Sequence, residues 1–334
     1  MKKISLSIFI FYIFFFLLSF KAIASNCEFQ MADMNWPSAT LMANVDKFIL
    51  EEGYDCKIEL VPGATTATFI TMNEKGKPHV APELWTNAIA GLLHKALEEG
   101  RLFSAIKGPI TELGEGWWIT PHTLKNYPEF KTVLDILERP DLFPAKEDKS
   151  KGAFIGCPAG WGCQLANQSL FIAFEMEKKG WMLVDPGSQA GLDGSMSKAA
   201  ERGDNWFGYY WSPTSLIGKY NMKLMDFGVP FAGSKNWDDC IAKGPEGCIE
   251  PKPSAWTESI VQTVVTSEIK EMTEVMNYFG KRIFPGSIMN SMLVYMEENQ
   301  SQGADGAIEF LEKYPEIWIN WITLEAAKKI KKAL

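Results

Sequence analysis

Histidine is scarce in this chain: there are three in 334 residues. His79, His94 and His122 are scattered through its first part without metal-ligand spacing, and His94 falls on a helix-like pattern as a surface residue. There is no G-x-S-x-G elbow, no phosphate-binding P-loop and no dinucleotide fingerprint between a strand and a helix. Those absences exclude the commonest nucleophilic, nucleotide-using and nicotinamide-linked enzymes. Carboxylates are plentiful, so a paired-carboxylate enzyme stays open as a distant alternative. Positive charge is also in deficit, with 33 Lys and Arg against 41 Asp and Glu and a formal charge of −8. Such a chain suits neither nucleic acid nor an anionic membrane surface. Past residue 20 no apolar run is long enough to span a bilayer. No Gly/Ser-rich linker, internal repeat or low-complexity tract divides the chain.

The first 24 residues, MKKISLSIFIFYIFFFLLSFKAIA, place two lysines before an apolar stretch and end in small residues. This predicts a secretory signal peptide, residues 1–24, cleaved after Ala24, with export to the periplasm; a membrane anchor is the competing reading. Cleavage removes Lys2, Lys3 and Lys21 and takes the formal charge to −11. The roughly 310 residues left exceed one ordinary domain. Six cysteines in an exported chain suggest disulfides. Closeness in sequence favours Cys157–Cys163 and Cys240–Cys248, leaving Cys27 and Cys56, each at the start of a candidate strand; neighbouring parallel strands would bring those starts together. A zinc site is the alternative, but no cysteine pair has zinc-type spacing with a histidine nearby, so neither a metal nor another cofactor is expected.

Strand and helix patterns alternate. A strand at 27–31 leads into Pro37–Gly53, where Leu41, Val45, Phe48 and Ile49 share a helical face; a strand at 56–61, another at 77–84 and a helix ending near Gly100 follow. Later, 153–156 reads as a strand, Gln168–Lys178 as a helix, Trp206–Tyr210 as a strand, the stretch TESIVQTVVTSEI as strand-like and Ile308–Leu334 as helical. This predicts an α/β chain of two lobes with largely parallel sheets. Ligands of such sheets bind beyond the carboxyl ends of strands. Trp36, Trp85, Trp161 and Trp211 all fall just past predicted strands, so two lobes presenting them to each other would form a cleft.

Tryptophan is abundant, twelve in all. A cage of such rings holds a quaternary ammonium, whose methyl groups bury while its diffuse charge faces the π clouds. For Trp181, Trp237, Trp256, Trp318 and Trp321 ordinary packing is expected. The segment GCPAGWGC at 156–163 brackets Trp161 with Gly160 and Gly162, which permit positive φ or close backbone approach, and a Cys157–Cys163 bridge would hold that loop rigid.

These residues carry a resemblance. GCPAGWGC (156–163), YYWSP (209–213), ELWT (83–86) and GVPF (228–231) are similar to the periplasmic glycine betaine-binding proteins of ABC importers, over most of the mature chain. The resemblance implies a two-lobed, type II periplasmic binding protein with a ligand cleft between lobes. Its lobes are expected at 25–117, 118–230 and, returning to the first lobe, 231–334. It implies Trp85, Trp161 and Trp211 as the cage and the Gly162 and Cys163 N–H groups as donors to the ligand's anionic end. The expected partners are a small methylated amine, an ABC permease and its ATPase, with the receptor itself a monomer and not an enzyme.

Two departures from the betaine pattern shape the ligand expectation. Where the family supplies a histidine to the ligand carboxylate, in W-T-P-x-H, this chain has Trp85-Thr86-Asn87-Ala88-Ile89. In LGEGWWI (113–119), Glu115 stands before a predicted crossover strand where betaine binders tend to carry a neutral residue, and a solvated loop glutamate is the alternative there. With Trp36 as a fourth ring, the chain is most similar to the trimethylamine N-oxide-binding branch. Glycine betaine and choline are the alternatives, an enzyme acting on choline-like compounds and a chemoreceptor accessory the more distant ones.

Overall fold

The computed structural model describes residues 27–334; the predicted signal peptide lies outside the described residues. The strands are β1 (Glu28–Met34), β2 (Lys57–Gly63), β3 (Val80–Trp85), β4 (Leu102–Lys107), β5 (Gly114–Ile119), β6 (Gly152–Ile155), β7 (Trp181–Val184), β8 (Phe207–Ser212), β9 (Lys223–Leu224) and β10 (Val261–Thr266). They form two five-stranded sheets, ordered β2-β1-β3-β10-β4 and β7-β6-β8-β5-β9. In each sheet the strands from βαβ units are parallel, and one late or early strand inserts antiparallel: β10 between β3 and β4, β5 between β8 and β9. This is the two-lobed α/β architecture expected from the alternation of patterns.

Local chemistry explains the first lobe. Helix Pro37–Tyr54 starts with Pro at a first-turn position, buries Leu41, Val45 and Ile49, and stops at Asp55 in the left-handed region. Parallel pairing of β1 with β2 sets Glu28 opposite Lys57, so the residues just before them, Cys27 and Cys56, meet and bond. Cys157–Cys163 and Cys240–Cys248 are bonded as well. The second lobe packs around Trp117, whose ring centroid lies 4.5 Å from that of Phe154 and 5.7 Å from that of Phe207.

The structure shifts several sequence-based limits. Gly114–Ile119 pairs along its whole length with β8, so Glu115 sits within the second sheet and not ahead of a crossover. The chain therefore leaves the first sheet after Lys107 and rejoins it at Val261, whereas limits after 117 and at 231 were expected. Two apolar rings, Trp117 and Trp118, drive β5 into the second core, where both are buried. The helix expected at Gln168–Lys178 runs Gly162–Ala173, stopped before Glu175 at φ 53°. Of TESIVQTVVTSEI only Val261–Thr266 is strand; Ser267–Lys270 turns helical.

Candidate functional site

The carboxyl ends of β1, β3 and β8 and the start of helix Gly162–Ala173 converge between the lobes. Trp36 is the residue before helix Pro37–Tyr54, Trp85 ends β3, Trp161 precedes Gly162–Ala173 and Trp211 lies next to the end of β8. All seven residues singled out in the sequence, Trp36, Trp85, Glu115, Trp161, Gly162, Cys163 and Trp211, line one cavity there. Trp161 is edge-on to both Trp36 and Trp211, with ring centroids at 5.5 and 5.1 Å.

Hydrogen bonds hold Trp36, Trp85 and Trp161 by their edges and leave their faces unengaged by these bonds. Trp36 Nε1 and Trp85 Nε1 both donate to Glu83 Oε1, at 2.7 and 2.8 Å. Trp161 Nε1 donates across the cleft to Asn35 Oδ1 at 2.9 Å. The loop that carries Trp161 is bridged by Cys157–Cys163, and Gly160 takes φ 84°, open to glycine at little cost. Gly162 meets the other lobe so closely that an added Cβ would stand 2.7 Å from Ala88 Cβ. Gly162 and Cys163 open a twelve-residue helix, where backbone N–H groups have no partner within the helix.

Glu115 is the polar centre of the cavity. It lies directly opposite Trp211 in the β5–β8 pair. Its Oε1 accepts from Tyr209 Oη at 2.7 Å and its Oε2 from Asn87 Nδ2 at 2.8 Å. Trp256 Nε1, buried without a partner of good geometry, adds a further donor dipole near it. Burial pushes the carboxyl up to about 7, against the pull of the Tyr209, Trp256 and Asn87 donors. The solvated-loop alternative is therefore wrong: Glu115 is 9% exposed, within a strand.

Two rings assigned to packing from the sequence also belong here. Trp237 and Trp256 line the cavity with their centroids 5.3 Å apart, while Trp181, Trp318 and Trp321 are core as expected. Their segment has no strand between Leu224 and Val261, so the rule that marked the other rings by strand ends had nothing to act on. Asn87 and Tyr209 were missed because each was read only as part of a motif around a tryptophan. Glu83 was missed too, although an acid two residues before Trp85 in an otherwise apolar strand carried a signal, since i and i+2 share a face. Among the described residues no group of three or more His, Cys, Asp or Glu is placed to hold a metal.

Comparison with known proteins identifies the fold and the family. No curated protein sequence matches the chain. A choline-binding protein of an ABC transporter, in complex with choline, superposes with a TM-score of 0.72 at 14% identity, covering 92% of this chain and 98% of that one. The glycine betaine/L-proline-binding protein ProX from Borrelia burgdorferi gives 0.70 at 16% identity, covering 91% and 99%. Lactococcal OpuAC, closed on glycine betaine, gives 0.65 at 15% identity, covering 89% and 99%. At these identities the likeness is one of fold. The sequence profile of the substrate-binding domain of ABC-type glycine betaine transport systems matches residues 28–313, and the chain belongs to that family.

Proposed function

We propose that this substrate-binding protein captures trimethylamine N-oxide in the cavity between its lobes and delivers it, as an exported monomer, to an ABC permease driven by its ATPase. Trp36, Trp85, Trp161 and Trp211 surround the trimethylammonium group. Each ring contributes about 0.5 to 2 kcal/mol, and micromolar affinity requires about 8 kcal/mol. Burial of three methyl groups, at roughly 0.8 kcal/mol per carbon, and the polar contacts supply the rest.

The observation that carries the choice of ligand is Glu115. Its carboxyl sits in the cage wall and titrates near 7, so it is available in protonated form to donate to a small oxide oxygen. Ionised Glu115 would repel betaine's carboxylate in a desolvated cleft, and Ile89 stands where a histidine would have received that carboxylate. The Gly162 and Cys163 N–H groups remain as donors to the ligand's oxygen. Choline is the second reading: its hydroxyl can donate to ionised Glu115, the form favoured by Tyr209 and Asn87.

The lobes move about the crossings between Lys107 and Gly114 and between Trp256 and Val261, with the cage completed on closure. Calorimetry with trimethylamine N-oxide, glycine betaine, choline, carnitine and dimethylsulfoniopropionate tests the assignment. Tightest binding of trimethylamine N-oxide, recovered unchanged, is expected; tightest binding of betaine overturns it, and conversion of any ligand to product makes the protein an enzyme.

A further inference from the structure

Behind the cage, outside the residues that line the cavity, lies a carboxylate with no exposed surface. Glu83 Oε1 receives Trp36 Nε1, Trp85 Nε1 and Ser38 Oγ, the last at 2.9 Å. Its Oε2 is buried and makes no hydrogen bond among the described residues. Arg282, also fully buried, acts on it from a distance, but the Nε of Arg282 is 3.0 Å from Asp46 Oδ1 and its Nη2 donates to Thr263 Oγ1 at 2.8 Å. The guanidinium thus has its own carboxylate partner, and Glu83 has none.

A neutral acceptor would tie the rings equally well. An anion placed there without a counter-ion is costly to the ligand-free protein. The same anion is useful if the missing positive charge arrives with the ligand. Indole N–H groups that donate to a carboxylate are polarised by it, which makes the ring faces more attractive to a cation.

We propose that Glu83 is a positioning residue of the cage that also supplies its charge: it fixes the Trp36 and Trp85 rings by their N–H edges, and the ligand's ammonium is the counter-ion of its carboxylate, felt through those rings. This rests on the methylated-ammonium reading of the cavity and explains why the receptor tolerates a destabilising buried acid. Burial pushes the Glu83 carboxyl up to about 7, while Trp36, Trp85, Ser38 and Arg282 pull the other way, so a cation in the cage tips it toward the ionised form.

The test is calorimetry of tetramethylammonium and trimethylamine N-oxide on the ligand-free mature protein and on E83Q, which keeps an acceptor for the indoles and removes the charge. E83Q should bind tetramethylammonium about tenfold more weakly. Its near-UV circular dichroism should match the wild type, and its ligand-free melting temperature should be equal or higher. Affinity within twofold of the wild type, or a loss accompanied by altered ring dichroism, overturns the charge-supplying role. Should E83Q not fold, E115Q answers the question, because Glu83 is then the carboxyl left beside the rings, with Arg282 and Asp46 behind it and Asp193 behind Tyr210. Tetramethylammonium binding to E115Q should tighten from pH 6.5 to 8, and a flat profile overturns the proposal. A wild type that binds neither ligand removes the methylated-ammonium reading and this inference together; a wild type that binds them and an E83Q that matches it removes this inference alone.

Discussion

Asn87 Nδ2 donates to Glu115 Oε2 across the cleft, 2.8 Å from the first lobe to the second. Asn87 stands where the betaine pattern W-T-P-x-H has its proline, two residues before the missing histidine, and the structure joins it in one hydrogen bond to Glu115, the other departure. Asn87 also accepts from the Ile260 N–H through Oδ1 at 3.1 Å, beside the second crossing between lobes. The amide is therefore fixed at both ends, its oxygen beside the crossing and its nitrogen on Glu115 in the second lobe. Replacing Asn87 by Leu removes a bond to a group that ionises, worth about 1.5 kcal/mol or more. Calorimetry should show trimethylamine N-oxide affinity reduced by about tenfold, and an unchanged affinity would mean that the bond is not made in the bound form.

The cage makes a second prediction. Trp36, Trp85, Trp161 and Trp211 each lose one ring face when changed to Ala, together with the apolar burial of the methyl groups. Each variant should bind about tenfold or more weakly, and Trp→Phe should cost less. Trp161→Ala should be the worst, since Trp161 touches two other cage rings and bonds Asn35 in the opposite lobe. If all four folded Ala variants bind as the wild type does, the cavity is not a cation cage.

The fold and the convergence of four tryptophans on one cavity were legible in the sequence for the same reason. Alternating strand and helix periods fix which residues end strands, and strand ends are where these sheets present ligands. Trp36, Trp85 and Trp211 follow from that rule, and the bridged, glycine-flanked loop identifies Trp161. What could not be read is what depends on pairing at a distance. β5 joins the second sheet only because its partner β8, about ninety residues on, accepts it antiparallel, so Glu115 was placed before a strand when it lies inside one. Trp237 and Trp256 reach the cavity from a segment without strands, where periodicity carries no information. Glu83 serves two rings, one of them 47 residues away, and sequence shows only its nearness to Trp85.

Buried acids leave a signature in the pH dependence of stability. Burial raises both Glu83 and Glu115 from an ordinary 4.5 to about 7. A raised native value means that the folded state holds these protons more tightly than the unfolded chain. Their contribution is complete below about pH 4.5 and is lost as the pH rises through about 7. The ligand-free melting temperature should therefore fall by at least about 3 °C between pH 5 and pH 8, in scanning calorimetry at constant ionic strength. E83Q and E115Q should each flatten part of that slope. A melting temperature that rises across this window would mean that both acids are ionised at pH 5.

The same titration decides between ligands. Trimethylamine N-oxide and choline place the same trimethylammonium group against the same rings, so the effect of Glu83 on the cation is common to both and cancels in the ratio of their affinities. Glu115 does not cancel. Protonated, it donates to the oxide oxygen; ionised, it accepts the choline hydroxyl and attracts a ligand of net positive charge. The two complexes differ by one proton, so the ratio of trimethylamine N-oxide affinity to choline affinity should rise by about tenfold per pH unit, about a hundredfold as the pH falls from 8 to 6, around a carboxyl that burial pushes up to about 7. Glu115→Gln removes that proton. It should leave a ratio independent of pH, and it should narrow the preference for trimethylamine N-oxide over glycine betaine, because the repulsion of betaine's carboxylate goes with the charge. A ratio that is flat in the wild type, with a ranking untouched by E115Q, would leave Glu115 outside ligand recognition and make betaine the better assignment for this receptor.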